Sequence, residues 1–384
     1  MFRTFILTLF LILAAFLFSC QNKTEMHDIE SLFISAPDSL LQSSIMYAKG
    51  FDLYEFEGVK KLVIYHPELA ENVIATYYVA DSSVLNELGF QSSENTIVLP
   101  LTNVAVFSAT QLNAFERLGL LDKVKGVSEA SYIKSEAVRK KLDNREIVEL
   151  ATTSDYFIEK ILSVNPSVIF YSPYKFTEQH PLNITGKHLV PFYDYFENEP
   201  LGRAEWIKFT AAFFGADDFA NELFLEMVSS YSKYRHLTEN LVDRPRVFSD
   251  KYFNSQWYVP GGKSYIATLF MDAGADYTWQ DDSHTGSFPL DYEVVFSRAH
   301  DADYWRIVGS YGDEATYTAL AEENELYTNF RAFKDKQVIW CDAEATAYFE
   351  KSPLEPQWLL ADLIFVFHPE LLPDHTPKYY HILK

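Results

Sequence analysis

The sequence predicts an α/β protein with two lobes, each built on a parallel sheet, joined by one long rigid α-helix and preceded by a small N-terminal β-rich extension. Three observations support this fold class. Short apolar runs alternate with helical patterns from Leu101 onwards, as they do in parallel sheets covered by helices. The same alternation resumes after Pro245. One long helical pattern, at 217–240, separates the two series.

The predicted boundaries follow these changes of pattern. They are a signal peptide at 1–19, a lipidated tether at 20–43, the β-rich extension at 44–100, an N-terminal α/β lobe at 101–200, a helical section at 201–242 and a C-terminal α/β lobe at 243–384. The part after the leader, about 360 residues, is enough for two domains of common size. No later apolar run reaches the length of a membrane-spanning helix.

The first twenty residues have the pattern of an export signal. Arg3 is followed by a largely apolar run, Phe5–Phe18, and then by Ser19 and Cys20. A basic head, about 7–15 apolar residues and a small residue before the cleavage site are typical of secretory signal peptides. The residues before Cys20 are similar to a bacterial lipobox, which implies that Cys20 carries lipid and begins the mature chain. An ordinary signal peptide is the alternative.

Composition narrows the range of functions. The chain of 384 residues is 48% hydrophobic and 16% aromatic, which is ample for packed cores. Its formal net charge of −22 argues against nucleic acid as a partner, because phosphate binding needs clustered Lys and Arg. With Cys20 lipidated, Cys341 has no partner in the chain, so the fold depends on its core without a disulfide.

The extension and the first lobe are predicted from short runs between turn residues. In the extension, Lys61–Tyr65 and Ile74–Val79 are rich in β-branched and aromatic residues and predict strands. In the lobe, Gly119 ends the first helix and Pro166 lies beyond the end of a later one. The lobe is predicted to contain strands at 103–107, 124–127, 167–171 and 189–193, and helices at 111–118 and 156–164.

The helical section contains two predicted helices. Glu205–Phe214 is followed by Gly215, which ends the first. The second carries an apolar stripe at helical spacing that we interpret as packing, formed by Phe219, Leu223, Met227, Tyr231 and Tyr234. A helix of this length between two α/β series is expected to be a rigid connection that limits lobe movement.

The second lobe repeats the order of the first. Glu159 opens the later helix of one lobe, and Glu293 opens the later helix of the other. The runs that follow the two glutamates align directly, so we interpret the halves as related lobes. The second lobe is predicted to contain strands at 246–248, 302–308 and 337–340, and helices at 264–273, 292–299 and 356–368.

Catalytic motifs are scarce. The chain has no GxSxG elbow and no HExxH helix. The run Pro260–Ser264 resembles a phosphate loop, but Trp257 stands where that motif requires glycine. His368, His375 and His381 lie among prolines and are interpreted as part of a capping tail, so no metal site and no cofactor is predicted. A surface glycan hydrolase remains the alternative, since its carboxylate pair would come together only in the fold.

Aromatic residues at strand ends are the most informative feature of the loops. In open α/β sheets, ligands bind outside the carboxyl ends of the strands, and large flat side chains there suit a bulky, partly apolar ligand. The aromatic residues at or beyond predicted strand ends are Tyr132, Tyr171, Tyr174, Tyr193 and Tyr195 in the first lobe, and Tyr252, Trp257, Tyr265 and Trp279 in the second.

The chain resembles the class III substrate-binding proteins of ABC importers, which carry ferric siderophores, haem or cobalamin. The resemblance covers roughly 100–384, and its later part is similar to lipoprotein members from Bacteroidetes-type bacteria. It implies two Rossmann-like lobes, a lipid-anchored periplasmic protein, ABC permease and ATPase partners, and no enzymatic activity. The runs that carry it are Val104–Ser108, Leu118-Gly119, Val127-Ser128, Glu159–Leu162, Asn165–Ile169, Pro200–Ile207 and His368–His375.

The same resemblance implies roles for individual residues. Glu159 and Glu293 would each contact arginines of the permease, whereas complementing a helix N-terminus is the structural alternative. The ligand, an iron–siderophore complex or cobalamin, would lie between the lobes of a monomer. Arg203 could pair with an anionic ligand or with Glu199 or Glu205. The candidate ligand contacts are Ser108, Tyr132, Tyr174, Tyr195, Tyr252, Trp257 and Trp279. A permease-independent protein that captures haem or corrinoid is a second alternative.

Overall fold

A computed structural model of the chain describes residues 28–67, 69, 72–173, 180–311 and 315–384. The predicted signal peptide, the lipidation site Cys20 and the candidate ligand contact Tyr174 lie outside these residues. Within the described part of the chain, no helix is both long enough and apolar enough to cross a membrane.

The N-terminal extension is a four-stranded sheet, which confirms the β-rich prediction. Strands β1 to β3 are antiparallel neighbours, and β4 pairs in parallel with β3. Because side chains alternate across a strand, the sheet has two apolar faces. Val59 and Tyr78 pack with helix α1, whereas Phe51 and Ile64 join the core of the first lobe. The elements are α1 Ile29–Ser35, β1 Phe51–Phe56, β2 Val59–Tyr65, β3 Val73–Asp81, α2 Ser82–Leu88 and β4 Thr96–Leu99.

Two buried carboxylates fasten the extension to the rest of the chain. Glu205 Oε2 accepts hydrogen bonds from the backbone N–H groups of Met46, Tyr47 and Ala48, at 3.0, 2.7 and 2.9 Å. Glu197 accepts those of the next two residues, 49 and 50. A buried charge needs such partners to be tolerated, and here successive backbone dipoles supply them. The extension is therefore a bound layer of the first lobe.

The first lobe has a parallel five-stranded sheet in the order β7-β6-β5-β8-β9. Its central strand β5 is buried at every position, as expected for a strand covered on both faces. The predicted strands and helices are confirmed with end shifts of a few residues, whereas α4 and β7 were not predicted. The elements are β5 Val104–Phe107, α3 Ala109–Arg117, β6 Val124–Ser128, α4 Glu136–Asp143, β7 Val148–Ala151, α5 Ile158–Val164, β8 Val168–Tyr171 and β9 His188–Pro191.

The helical section consists of α6 (Pro200–Ala212) and α7 (Asp217–His236). Helix α6 begins five residues earlier than predicted, because Pro200 takes a first-turn position where its missing N–H costs nothing. Helix α7 ends at His236, so the predicted end at residue 240 is wrong. Phe224 of α7 packs on α6, whereas Tyr231 lies in the second lobe's core and donates to Asp272 Oδ2 at 2.6 Å. One helix thus crosses between the lobes.

The second lobe has its own five-stranded sheet in the order β13-β10-β15-β16-β17, in which only β17 is antiparallel. A small antiparallel sheet, β11-β12-β14, was not predicted. The elements are β10 Arg246–Ser249, β11 Tyr252–Phe253, β12 Gln256–Pro260, α8 Tyr265–Asp272, β13 Asp276–Tyr277, β14 Ser287–Leu290, α9 Tyr292–Ala299, β15 Tyr304–Gly309, α10 Tyr317–Glu323, α11 Arg331–Lys334, β16 Val338–Asp342, α12 Tyr348–Lys351, α13 Pro356–Phe367 and β17 His381–Ile382.

Candidate functional site

The carboxyl ends of the two parallel sheets are turned towards each other. The loop that leaves β6 contacts helix α12, which follows β16, through hydrogen bonds from the backbone of Lys134 and Ser135 to Glu350. A second contact joins the lobes where the Arg203 guanidinium lies 5.1 Å from the centre of the Tyr265 ring. Ligands of open α/β sheets bind beyond the carboxyl ends of strands, so the inter-lobe face is the place to look for a site.

A cavity of about 610 Å³ lies at the carboxyl edge of the first lobe. Its walls are the residues at and just beyond the ends of four neighbouring strands, β5 to β8. Parallel strands bring these positions together even though the chain separates them. The lining residues are Phe107, Ser128, Glu129, Ala151, Thr152, Thr153, Tyr156, Tyr171, Ser172, Pro173, His180 and Pro181.

Four rings form an aromatic box on one side of the cavity. The His180 ring centre lies 4.5 Å from that of Tyr171 and 5.6 Å from that of Tyr156. Tyr156 in turn stacks on Phe107 at 6.0 Å. Aromatic faces at these separations attract each other and also offer flat surface to a planar ligand. The box therefore provides both rigidity and contact area.

The imidazole of His180 is a neutral hydrogen-bond donor. Its Nδ1 accepts the backbone N–H of Leu182 at 3.2 Å, so in the neutral ring Nε2 carries the proton. Burial lowers the pKa of His180, which favours that neutral form. Burial also raises the pKa of Tyr156 and of Tyr171, so both phenols keep their protons. An Nε2 that carries a proton has no lone pair for a metal, so the box donates hydrogen bonds.

The cavity carries little charge of its own. Among its described lining residues none is Lys or Arg, and Glu129 is the one carboxylate. Glu129 Oε1 accepts a hydrogen bond from Thr153 Oγ1 at 2.6 Å. The remaining polar side chains of the described lining are hydroxyls, which can donate or accept, and the imidazole of His180. Such a surface suits a ligand that is large, uncharged and rich in polar groups.

Three cations at the inter-lobe face are each neutralised by a carboxylate. Arg203 Nε lies 3.0 Å from Asp194 Oδ2, so neither Glu199 nor Glu205, the two carboxylates weighed for it in the sequence, pairs with Arg203. Burial raises the pKa of Asp194, and the adjacent guanidinium opposes that rise. The other pairs, Arg306–Asp250 at 3.2 Å and Lys251–Glu323 at 2.7 Å, lie in the second lobe.

The predicted contacts of the first lobe lie beside the cavity and not in its lining. Ser108 follows the lining residue Phe107, and its Oγ is 2.8 Å from Thr110 Oγ1. Tyr195 is 38% exposed and donates to the carbonyl of Pro173, a lining residue, at 2.6 Å. Tyr132 is 66% exposed, on the loop that leaves β6. The predicted contacts therefore lie at the same edge of the sheet as the cavity, and of the aromatic residues named at strand ends in this lobe, Tyr171 is in its described lining.

Two of the predicted contacts in the second lobe are wrong in position. Trp257 and Trp279 are 0% and 1% exposed, so neither ring is on a rim that a ligand could touch. Trp257 packs on Phe248 and Trp305 and donates its indole N–H to Ser249 O at 3.0 Å. Trp257 lies on β12 of the small sheet β11-β12-β14, which was absent from the prediction, and is paired there with Tyr252 and Leu290. Tyr252 is half-buried on β11, where its N–H donates to Tyr327 Oη at 3.1 Å.

The glycine-rich run before α8 serves packing. A Cβ on Gly262 would lie 2.4 Å from the carbonyl oxygen of Trp279, and one on Gly261 would lie 2.1 Å from that of His284. Only glycine permits so close an approach of two backbones. Ser264 Oγ then caps α8 by accepting the N–H of Ala267 at 3.2 Å. The contacts explain the glycines without a phosphate.

Two of the three C-terminal histidines, His368 and His375, hold the tail in place, as expected from their interpretation as part of a capping tail. His375 Nε2 lies 2.6 Å from the buried Asp362, and His368 Nε2 lies 3.0 Å from Gly274 O. No group of three His, Cys, Asp or Glu side chains in the described residues could hold a metal ion. Buried Cys341 has a pKa raised by burial to about 12 and remains a thiol.

Two glutamates at corresponding positions are free and exposed. Glu159 is in the first turn of α5, and Glu293 is in the first turn of α9. Neither has a hydrogen-bond or ion-pair partner among the described residues, so both carboxylates are available to a partner protein. Their helices begin on the same side of each lobe as the strand carboxyl ends.

The cavity residues that sequence reasoning missed are His180, Tyr156 and Phe107. Tyr156 had been placed at the start of a helix, which in fact begins at Ile158. His180 stands beyond β8 with no motif around it. The available signal was positional, because both residues follow closely on strands of the parallel sheet.

Comparison with known proteins agrees with this architecture. The family described as "Periplasmic binding protein" matches residues 104–345, from the first strand of one lobe to just beyond β16 of the other. A lipoprotein of Methanocaldococcus jannaschii, described as uncharacterized lipoprotein MJ0878, is 32% identical over 290 residues, which are 71% of this chain and 67% of the relative.

Two solved structures show the same fold at low identity. The apo form of the periplasmic haem-binding protein RhuT from Roseiflexus sp. RS-1 has a TM-score of 0.56 at 17% identity and covers 71% of this chain and 100% of its own. The molybdate-bound MolA of a Haemophilus influenzae ABC transporter has a TM-score of 0.58 at 16% identity, over 72% of this chain and 89% of its own. At such identities the likeness concerns the fold.

Proposed function

The chain belongs to the periplasmic binding protein family, and we propose that it is the lipid-anchored binding component of an ABC importer that captures a corrinoid between its lobes. The observation that carries the proposal is the cavity at the carboxyl edge of the first lobe, with its neutral aromatic box. Two solved structures with this fold are described as binding haem or molybdate, and one is assigned to an ABC transporter.

The absence of Lys and Arg from the described cavity lining favours cobalamin over a ferric siderophore of high negative charge. The described lining has neither Lys nor Arg, and Arg203, Arg306 and Lys251 are each paired with a carboxylate. The chain as a whole has a formal net charge of −22, which repels anions before they arrive. Cobalamin is bulky and carries many amide groups, which match hydroxyls and a neutral imidazole.

The proton on His180 Nε2 argues against haem as the ligand. Coordination of iron through Nε2 would require the proton to move to Nδ1, which already accepts the Leu182 N–H. That rearrangement would leave a buried donor without a partner, at a cost of about 1–3 kcal/mol. The same proton can instead be donated to an amide oxygen of a corrinoid.

Export and anchoring complete the proposal. The leader and Cys20 have the pattern of a lipoprotein signal, and a relative at 32% identity is described as a lipoprotein. Several acyl chains are needed for stable attachment, since one gives only marginal membrane binding. The acidic body would then stand off an anionic membrane, with the lipid as its attachment.

Glu159 and Glu293 are proposed to dock the protein on the permease. Each is exposed and unpaired among the described residues, and each stands on the inter-lobe side of its lobe. Charge-assisted contacts with permease arginines would fix the orientation, and one contact per lobe would sense the lobe spacing.

Titration calorimetry tests the ligand. We expect cyanocobalamin to bind saturably, and a ferric tricatecholate and haemin to give no saturable heat. His180→Ala is expected to weaken cyanocobalamin binding about tenfold, because a hydrogen bond of the box is lost. His236→Ala, on the exposed face of α7, is the matched control and should change nothing. Tight binding of the ferric chelate without binding of cyanocobalamin would contradict the proposal.

A further inference from the structure

We propose that Glu350 is a latch between the lobes, which sets their spacing and holds the loop that forms one wall of the cavity. Glu350 lies on α12 of the second lobe and is 4% exposed. Its two carboxylate oxygens accept the backbone N–H groups of Lys134 and Ser135 in the first lobe, the latter at 2.9 Å. Hydrogen bonds to a charged acceptor are about twice as strong as neutral ones, and burial protects them from water.

The latched loop leads directly to the cavity. Ser128 and Glu129 line the cavity, and the chain then runs through a short 3-10 turn, Ala130–Tyr132, to Lys134 and Ser135. Ala130 N–H is itself tied to Glu149 Oε1 at 2.8 Å, so the loop has little slack. A shift at the latch therefore shifts the cavity wall and the exposed Tyr132 with it.

The first-lobe end of the latch is firmly held. Ser135 Oγ donates to Glu116 Oε2 at 2.8 Å and accepts the N–H of Val138 at 3.3 Å as the cap of α4. Ser135 thus joins α3 through Glu116, α4 through its cap, and α12 through Glu350. Because three helices meet at Ser135, this contact fixes the position of one lobe relative to the other.

The second-lobe end is held by a strained turn. Ala347, immediately before α12, has φ = 51°, in the left-handed region that is costly for any residue with a Cβ. Asp342 Oδ1 stabilises the turn by accepting the N–H groups of Glu344 and Ala345, both at 2.9 Å. Such strain persists only where surrounding contacts fix the backbone conformation. Here the turn at Ala347 places α12 against the first lobe.

Other contacts along the same seam would survive loss of the latch. Arg117 Nη1 donates to Leu354 O at 2.8 Å, and Asn113 Nδ2 donates to Lys351 O at 3.3 Å. Leu354 is 3% exposed in an apolar cluster shared with α6 and α7. Removing the Glu350 carboxylate should therefore release the loop and alter the spacing while the protein stays folded. This inference goes beyond the proposed function, because it concerns the protein without ligand.

Hydrogen exchange on the full-length protein in detergent tests the latch directly. In Glu350→Ala, the amides of Lys134 and Ser135 should exchange about tenfold faster or more, the equivalent of one lost charge-assisted bond. Glu350→Gln keeps the shape and one acceptor, so an intermediate increase is expected. Glu344→Gln is the matched control, because that carboxylate reaches the same Lys134 only through an exposed ion pair of 3.4 Å. Unchanged exchange in Glu350→Ala would overturn the proposal.

Lobe spacing provides the second readout. Spin labels at Ser163→Cys and Ser297→Cys sit on the exposed, corresponding helices α5 and α9. The inter-label distance distribution should broaden and shift in Glu350→Ala and stay unchanged in Glu344→Gln. A residue with a purely structural role would lower the melting temperature and leave the distances of the folded protein unchanged, and that result would contradict the latch. Should Glu350→Ala fail to fold, the same distances in Glu350→Gln decide the question in the same way.

Discussion

The two lobes are both built on a five-stranded sheet, but they differ in strand order, β7-β6-β5-β8-β9 against β13-β10-β15-β16-β17, and in the surface at their carboxyl edges. In the first lobe the strand ends surround an open cavity lined by neutral hydroxyls and rings. In the second lobe Trp257, on β12 of the small sheet, and Trp279 are buried, and buried Arg306 is held by Asp250, Tyr348 and Tyr380. The first lobe thus has an open cavity at this edge, whereas the large rings of the second lobe lie in its core. A shared α/β architecture therefore does not imply related surface chemistry.

The largest expected effect is on ligand uptake, through the exposed first-turn glutamate that each lobe carries. Glu159→Ala combined with Glu293→Ala should abolish uptake of the ligand in cells, because both proposed permease contacts would be lost, and should leave ligand affinity intact. Glu136→Ala is the matched control, since it is also an exposed first-turn glutamate. Normal uptake by the double variant, measured with radiolabelled cyanocobalamin, would refute the docking role.

The buried rings of the second lobe should matter for stability and not for binding. Trp257→Ala is expected to lower the free energy of unfolding by about 3–5 kcal/mol, because it opens a large cavity in the core. Tyr156→Ala in the first lobe, where the ring is 37% exposed, should cost about 1 kcal/mol or less and weaken ligand binding instead. Denaturant unfolding measures the loss of stability, and titration calorimetry measures the loss of ligand binding. Weaker binding by Trp257→Ala together with a large loss of stability in Tyr156→Ala would contradict the contrast between the lobes.

The extension should support only the first lobe. Glu205→Gln is expected to destabilise the protein by about 3 kcal/mol, because it breaks the buried pair with Lys208 and the contacts to residues 46–48. Hydrogen exchange should then increase in the extension and the first lobe, with the second-lobe sheet unaffected. Equal loss of protection in both lobes would show that the extension stabilises the whole molecule.

The smallest expected effect is the pH dependence of the contribution that His180 makes to stability. Burial places its folded pKa below the ordinary value of about 6.5, so the unfolded chain binds more protons below that pH. Its contribution to stability is therefore constant above about pH 7 and decreases as the pH falls through 6.5. The difference in unfolding free energy between the wild type and His180→Ala, followed from pH 8 to 5, measures this slope, and a contribution that grows on acidification would contradict the assigned neutral ring.

The fold was largely predictable because it depends on local pattern. Runs such as Lys61–Tyr65 and the helix from Tyr292 to Ala299 were placed correctly from residue type and spacing. The lobes' boundaries, the predicted ligand and the docking residues stay predictions. The small sheet was missed because Tyr252–Phe253 is too short to show a period and because prolines, Pro260 and Pro289, lie in its other two strands.

The site was less predictable because its contacts are distant in sequence. The cavity lining runs from Phe107 to Pro181 and comes together only where four strands end. Outside the site, Glu205 and Asp362 bind the backbone N–H groups of residues 46–48 and 378–380. A carboxylate that binds backbone dipoles leaves no signature in side-chain pattern. Trp257 was misassigned for a related reason, since an aromatic residue near a strand end has the same sequence pattern whether its ring faces a ligand or packs into the core, as it does here on Phe248 and Trp305.

Hydrogen exchange of the full-length protein with and without cyanocobalamin tests the central claim most directly. The account predicts new protection at residues 151–156, 171–173 and 180–182, which form the walls of the first-lobe cavity. Protection confined to the opposite edge of the second lobe, around Arg244 and His368, would contradict it, as would the absence of any protection.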